Sequence, residues 1–149
     1  MGDRTSVCLT VLNEQAEEAQ KWFGDYEHDH MSSDNVFTHF SFYEVNYGDL
    51  LCLDDLQKAG IAFDSSWDAG SEYGPGTDYC RFLPDGSVWR RQIGDDYRNP
   101  SLEECMRLID CLDDLKAYIV NHHNTVTPPG WEFQNVYGKL YKTINLISS

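Results

Sequence analysis

Hydrophobic and polar positions follow two different periods along this chain. Across Thr5–Leu12, from Val7 onward, one alternating set is wholly apolar and the other is Cys8, Thr10 and Leu12, which predicts a first strand with both faces at least partly covered. In Asn35–Tyr47 both alternating sets contain aromatic residues, so this longest strand is expected to be buried on both faces. Helical spacing of apolar residues instead predicts short helices over Glu14–Phe23 and Leu50–Ala59.

The clearest local signal is a β-hairpin. Thr77–Leu83 and Ser87–Ile93 are strand-like, and Pro84–Gly86 between them has the composition of a tight turn. A short strand is predicted over Ile61–Asp64. The following Ser65–Gly76 contains three glycines and a proline, which is typical of an exposed and often functional loop.

The second half of the chain begins with a helix. Ser101 and Glu104 form a capping-box pattern, and the helix that they open is expected to run to about Asn121, with a possible break near Asp110–Asp113. Its apolar residues fall on one stripe and are expected to face the core. Val136–Ile147 shows no decisive period and fits either a closing strand or a short helix.

These elements predict an α+β fold. We expect an antiparallel or mixed sheet of about five strands, with three helices packed mainly on one face. The 149 residues suffice for a single globular domain over residues 1–149, and we find neither an internal repeat nor a second domain. A monomer or a homodimer is compatible with this length.

The formal charge of −14 is the feature that most constrains the kind of partner the protein can bind. Such a field repels nucleic acid and membrane surfaces, so direct nucleic-acid binding is not expected, whereas a basic protein surface would be attracted. The five cysteines are scattered among apolar residues, as is typical of reduced thiols in a cytoplasmic protein. No apolar run is long enough to predict a membrane span.

The sequence contains no strong catalytic motif. His28 and His30 lack the further ligands that a zinc site needs, so neither a metal nor a cofactor is predicted. Cys80 or Cys52 could meet His39 as a nucleophile pair, but neither thiol has the sequence context that activates one. Paired carboxylates carry little information in a chain with 25 acidic residues.

The acidic segments are better explained as a partner-binding surface. Carboxylates spaced along loops and helices can imitate a nucleic-acid backbone, and two aromatic residues of the glycine-rich loop would supply apolar anchors. Asp25–Asp34, with four carboxylates and no lysine or arginine, is predicted to be an exposed loop. The candidate partner-binding residues are Asp25, Glu27, Asp29, Asp34, Asp54, Asp55, Trp67, Asp68, Glu72, Tyr73, Asp95, Asp96, Asp110 and Asp114.

Three segments resemble small proteins of bacterial plasmids, integrated elements and phages: Gly60–Gly70 (GIAFDSSWDAG), Tyr73–Phe82 (YGPGTDYCRF) and Val126–Trp131 (VTPPGW). The acidic, motif-free chain is similar to anti-CRISPR proteins of such elements, particularly those that act on type I surveillance complexes. The resemblance implies a non-enzymatic inhibitor that blocks DNA binding or nuclease recruitment by occupying a basic protein surface. It carries over no functional residue, because anti-CRISPR proteins share no common motif.

Two other classes stay open at this point. An immunity protein that neutralises a basic nuclease toxin would need the same acidic surface. A small hydrolase or transferase would use a cysteine, histidine or carboxylate in the region of Trp67–Gly76.

Overall fold

The computed structural model describes residues 3–24 and 26–148. Its centre is an antiparallel sheet with the spatial order β2-β3-β1-β4-β5-β6. The α+β class is confirmed, with six strands in the described residues rather than about five. The strands are β1 (Arg4–Leu12), β2 (His30–Ser33), β3 (Phe37–Asn46), β4 (Phe63–Trp67), β5 (Gly76–Phe82) and β6 (Val88–Gly94).

Five α-helices occur in the described residues, where three were expected. They are α1 (Ala16–Gln20), α2 (Leu53–Lys58), α3 (Leu102–Arg107), α4 (Leu112–Val126) and α5 (Gln134–Ser148). Short 3-10 turns, Asn13–Gln15 and Asp95–Tyr97, precede α1 and follow β6. The single predicted helix after Ser101 is therefore two helices, and the predicted break falls between them.

One face of the sheet carries the main core. Leu9 of β1 pairs with Phe40 of β3, and both are fully buried. The ring of Phe23, which follows α1, packs edge-on against Phe40 and Phe42 at centroid distances of 5.0 and 5.2 Å. Burying side chains of this size stabilises the fold by roughly 1.5–3 kcal/mol each. Helices α1, α2 and α5 contribute to this face.

The other face is covered only in part. Val126 at the end of α4 packs there with Tyr79 and Ile93, so the helices are not confined to one face as expected. Arg81 of β5 lies beneath the Thr127–Trp131 segment on the same side, and its side chain is almost fully buried. This face therefore combines a small apolar cluster with a buried guanidinium.

The prediction that Asp25–Asp34 is an exposed loop is wrong for its C-terminal part. His30–Ser33 forms the edge strand β2, in which His30 pairs with Ser41 and Ser33 with Thr38. All four residues of β2 are exposed, so the strand has no apolar alternation to reveal it. Backbone pairing with β3 alone defines it.

The predicted hairpin is confirmed as β5 and β6. Leu83 N–H donates to the Ser87 carbonyl at 2.9 Å, and Gly86 adopts a positive φ of 82° that favours glycine. Asp85 Oδ1 accepts from both the backbone N–H of Ser87 (2.9 Å) and its hydroxyl (2.6 Å). These bonds explain why this turn sequence joins the two strands.

Helix α5 decides between the two alternatives left open for Val136–Ile147. The Gln134 side chain reaches the edge of β5, where its Oε1 accepts from Phe82 N–H at 2.6 Å and its Nε2 donates to the Phe82 carbonyl at 2.9 Å. One turn later, Gly138 lies so close to Gly60 that a Cβ on Gly138 would stand 2.0 Å from the Gly60 carbonyl oxygen. The helix is thus fixed by a long-range contact.

Candidate protein-binding surface

Strand register brings several predicted acidic residues to one end of the sheet. Trp67 of β4 pairs with Gly76 of β5, which pairs with Gly94 of β6, so the loops beyond them adjoin one another. Asp95 N–H donates to the Pro75 carbonyl at 2.9 Å across this end. The acidic end of the sheet comprises Asp3, Asp68, Glu72, Asp95 and Asp96.

Few of these carboxylates are neutralised. Asp95 pairs with Arg98 at 3.0 Å, and Asp3 Oδ2 accepts from the Ser71 backbone N–H at 2.6 Å. Within residues 3–24 and 26–148, no ion pair involves Asp68, Glu72 or Asp96. The acidic end therefore faces solvent with uncompensated negative charge.

Trp67 and Tyr73 support the loop at the acidic end. Trp67 is half-buried against the main core, and its Nε1–H donates to the Gly74 carbonyl at 3.0 Å. Tyr73 is also half-buried, with its ring centroid 6.4 Å from that of Tyr47. Partial burial, followed by the negative charge of Asp3, raises the pKa of the Tyr73 hydroxyl. Both residues hold the loop in place, and their contact with a partner stays a prediction.

A second group of predicted residues lies beside the edge strand β2. Asp34 Oδ1 accepts from the backbone N–H groups of Val36 and Phe37 at 2.8 and 2.7 Å, and these bonds lower the pKa of Asp34. Asp29 Oδ2 accepts from Tyr43 N–H at 2.7 Å. Glu27 is exposed nearby, whereas Asp25 lies outside the described residues. The carboxylates of Asp34 and Asp29 thus already accept hydrogen bonds from the protein backbone.

Asp54 and Asp55 lie in the first turn of α2, away from the acidic end. Asp54 is exposed and forms a 3.3 Å ion pair with Arg90, whose main partner is Asp78 at 2.6 Å. Together with the Arg81–Asp64 pair at 2.8 Å, these contacts tie up most of the positive charge of the hairpin. The predicted acidic residues are consequently spread over several surfaces.

The last two predicted acids, Asp110 and Asp114, lie on a surface with an unexpected composition. The apolar stripe of α3 and α4, expected to face the core, is largely exposed: Leu102 by 78% and Leu112 by 60%. Exposed carboxylates are interleaved with it along the sequence, both on the two helices and in the turn between them. The α3–α4 surface comprises the apolar Leu102, Met106, Ile109, Leu112, Ile119 and Val120 and the acidic Glu103, Asp110, Asp113 and Asp114.

Periodicity alone could not show which side of α3 and α4 is exposed. Tyr118 of α4 accepts a hydrogen bond from Ser101 N–H, at the start of α3, at 3.0 Å, which joins the two helices. Helix α4 meets the rest of the fold through His122, whose ring packs 5.1 Å from that of Tyr97. The sequence signal that was available is the acidic flank of the apolar stripe. An interior stripe is rarely bordered so closely by several carboxylates.

The cysteine–histidine arrangement considered from the sequence does not form. Cys80 and His39 lie on opposite faces of the sheet, because Cys80 is in register with Phe63 of the core face and His39 with Thr10 of the other face. Burial raises the pKa of the Cys80 thiol to about 12 and that of Cys52 to about 11. Both thiols therefore stay protonated and unreactive near neutral pH.

His28 and His30 do not converge with other ligands. His28 packs its ring 5.2 Å from that of Phe40, whereas His30 lies on the exposed edge strand. In the part of the chain that the structure describes, no group of three histidine, cysteine or carboxylate residues is placed to hold a metal ion.

Comparisons with known proteins do not identify a family. No protein-family model, no curated protein and no solved structure matches this chain. Among the helices of residues 3–24 and 26–148, none is long and apolar enough to cross a membrane.

Proposed function

We propose that this protein is a non-enzymatic acidic inhibitor of a bacterial defence system, of the anti-CRISPR kind. In this proposal it acts in the cytoplasm of the host cell and binds a basic surface of a nucleic-acid-handling complex, such as a type I surveillance complex or its nuclease. Binding there blocks access of DNA or recruitment of the nuclease.

The composition of the α3–α4 surface carries the proposal. Several exposed large apolar residues on two neighbouring helices are typical of a protein interface, because leaving them in water is unfavourable. Leu102 and Leu112 are more than half exposed, and Asp110 and Asp114 each lie two residues from Leu112 in the chain. An apolar contact area bordered by carboxylates favours a partner that combines apolar side chains with lysine or arginine.

The distribution of charge supports the same class of partner. The chain has a formal charge of −14, and Arg81, Arg90 and Arg98 are engaged with Asp64, Asp78 and Asp95. A second copy of the chain would carry the same charge and would be repelled. A basic groove that ordinarily holds DNA would instead be attracted over a distance of about 10 Å at moderate ionic strength.

An immunity protein for a basic nuclease toxin is the second candidate, since the same surface suits it. The hydrolase or transferase alternative loses the Cys80–His39 pair, because the two residues lie on opposite faces of the sheet, and it keeps only the carboxylates Asp68 and Glu72 of the Trp67–Gly76 region.

Inhibition and binding assays test the proposal together. Purified type I surveillance complex is mixed with equimolar protein, and target-DNA binding and cleavage are measured at low and high salt. Leu112→Glu, which places a charge in the apolar group, is expected to abolish inhibition. Val136→Glu serves as the matched control, since Val136 is 60% exposed on α5, a helix that carries none of the predicted partner-binding residues. Equal inhibition by both variants would contradict the assignment of the surface.

A further inference from the structure

A groove adjoins the acidic end of the sheet between the turn after β6 and helix α4. It encloses about 460 Å³ and lies beside a smaller groove, with Asp96 and Tyr97 lining both. Tyr97 is 59% exposed and forms the ridge between the two grooves. The larger groove has a polar and aromatic lining rather than the aliphatic one of the α3–α4 surface.

His122 forms part of the wall of this groove. Its ring lies 5.1 Å from that of Tyr97 and 6.2 Å from that of Tyr118. The three rings give the groove an aromatic wall, on which a planar cation can stack.

Two polar groups of the groove, those of Thr125 and Asp96, have oxygen atoms available to accept hydrogen bonds. Thr125 uses its hydroxyl proton to donate to the Asn121 carbonyl at 2.8 Å, which leaves its oxygen as an acceptor. Asp96 contributes a carboxylate for which no ion pair occurs in the described residues. A ligand for this groove should therefore carry positive charge and donate hydrogen bonds to these two oxygen-bearing groups.

We propose that the groove receives an arginine side chain of the basic partner, an inference that rests on the proposed function. A guanidinium is planar, always charged and rich in donors, and it stacks on aromatic rings. Its N–H groups pair with the carboxylate of Asp96, while its planar face lies on the ring of Tyr97. A lysine ammonium would meet the charge of Asp96 but would not stack over Tyr97 in the same way.

NMR titration of the full chain with small probes tests this inference. Uniformly 15N-labelled protein is titrated with N-acetyl-arginine methylamide, with the lysine analogue, and with the citrulline analogue, which keeps the planar shape but has no charge. We expect saturable shifts at Tyr97 and His122 with the arginine probe, and binding at least tenfold weaker with citrulline. Shifts spread over all acidic segments, or equal affinity for arginine and lysine, would overturn the proposal.

Substitutions sharpen the test. Asp96→Asn and Tyr97→Ala are expected to weaken binding of the arginine probe at least tenfold, whereas Glu132→Gln and Tyr43→Ala are not. All four side chains are exposed, so a thermal melt is expected to show intact folding. Retained arginine binding in Asp96→Asn would refute the role of this carboxylate.

The same variants separate the inference from the proposed function. If Asp96→Asn inhibits the surveillance complex as well as the wild-type protein does, while Leu112→Glu does not, the arginine site is refuted and the inhibitor function stands. If the wild-type protein binds the arginine probe but never inhibits, the groove stands as an arginine site and the function is wrong.

Discussion

The guanidinium of Arg81 stacks on the indole ring of Trp131, with its central carbon 3.6 Å from the ring centroid. Arg81 also donates to the carbonyl oxygens of Pro129 and Phe63, each at 3.0 Å, and faces Asp64 at 2.8 Å. Burial removes water from both groups, which lowers the pKa of Arg81 and raises that of Asp64. The ion pair therefore forms in spite of a free-energy cost of desolvation. Strand β5 is thereby joined to the segment between α4 and α5.

Loss of this stack should destabilise the fold. Trp131→Ala removes the aromatic cover of a buried charge, and we expect a loss of about 3 kcal/mol in the free energy of unfolding, measured by urea denaturation. Trp131→Phe keeps an aromatic ring over the guanidinium and should therefore cause a smaller loss. Trp22→Ala is the matched control, since Trp22 is 40% exposed and makes no such contact with a buried charge, and should cost less than about 1 kcal/mol. Equal losses at Trp131 and Trp22 would show that the stack is unimportant.

The close approach of α5 to Gly60 predicts a strong requirement for glycine. In Gly138→Ala the new Cβ would stand 2.0 Å from the Gly60 carbonyl oxygen, so α5 must shift. We expect a loss of roughly 1–3 kcal/mol in urea unfolding. A Cβ on Gly130 meets nothing within 4 Å, so Gly130→Ala should leave the unfolding free energy almost unchanged. The helix position would be wrong if the two variants behaved alike.

The buried thiols predict alkaline sensitivity. Cys80 ionises near its ordinary pKa of 9.0 in the unfolded chain but only near about 12 in the folded one. Above pH 9 the unfolded state therefore releases a proton that the folded state keeps, and the free energy of unfolding falls as pH rises.

Cys80→Ala should remove part of this decline, on the order of 1 kcal/mol between pH 9 and 10.5. Urea midpoints at both pH values measure it, and Cys111→Ala is the control because Cys111 is exposed. An identical pH dependence in wild type and Cys80→Ala would contradict the burial of this thiol.

Exposure of the α3–α4 surface is itself testable. Leu102→Ser and Leu112→Ser should change the unfolding free energy by no more than about 0.5 kcal/mol, because both side chains already face solvent. Leu56→Ser, at a fully buried position of α2, should cost more than about 2 kcal/mol. Losses of that size at Leu102 or Leu112 would place the apolar stripe in the core, as the sequence pattern had suggested.

The sequence predicts those elements whose signals are local. The β5–β6 hairpin follows from a turn that Asp85 and Gly86 stabilise through bonds over two or three residues. Ser101 likewise caps α3, where its hydroxyl accepts from Glu104 N–H at 3.3 Å. The reciprocal half of that capping box is absent from the described contacts, because Glu104 pairs with Arg107 and Ser101 N–H donates to Tyr118.

Features that depend on distant partners could not be found in this way. Strand β2 is defined only by pairing with β3, and α5 by the contacts of Gln134 and Gly138 with residues more than fifty positions away. The acidic end could be predicted by composition but not located, since its assembly requires the register of β4, β5 and β6.

Purified type I surveillance complex, mixed with one equivalent of this protein, gives the most direct test of its proposed function. Target-DNA binding and nuclease recruitment are measured at about 50 mM and about 500 mM salt, two conditions whose Debye lengths differ about threefold. The inhibitor function predicts loss of one of these two activities at equimolar dose, with weaker inhibition at the higher salt. Unimpaired DNA binding and cleavage at a large molar excess of the protein would contradict it.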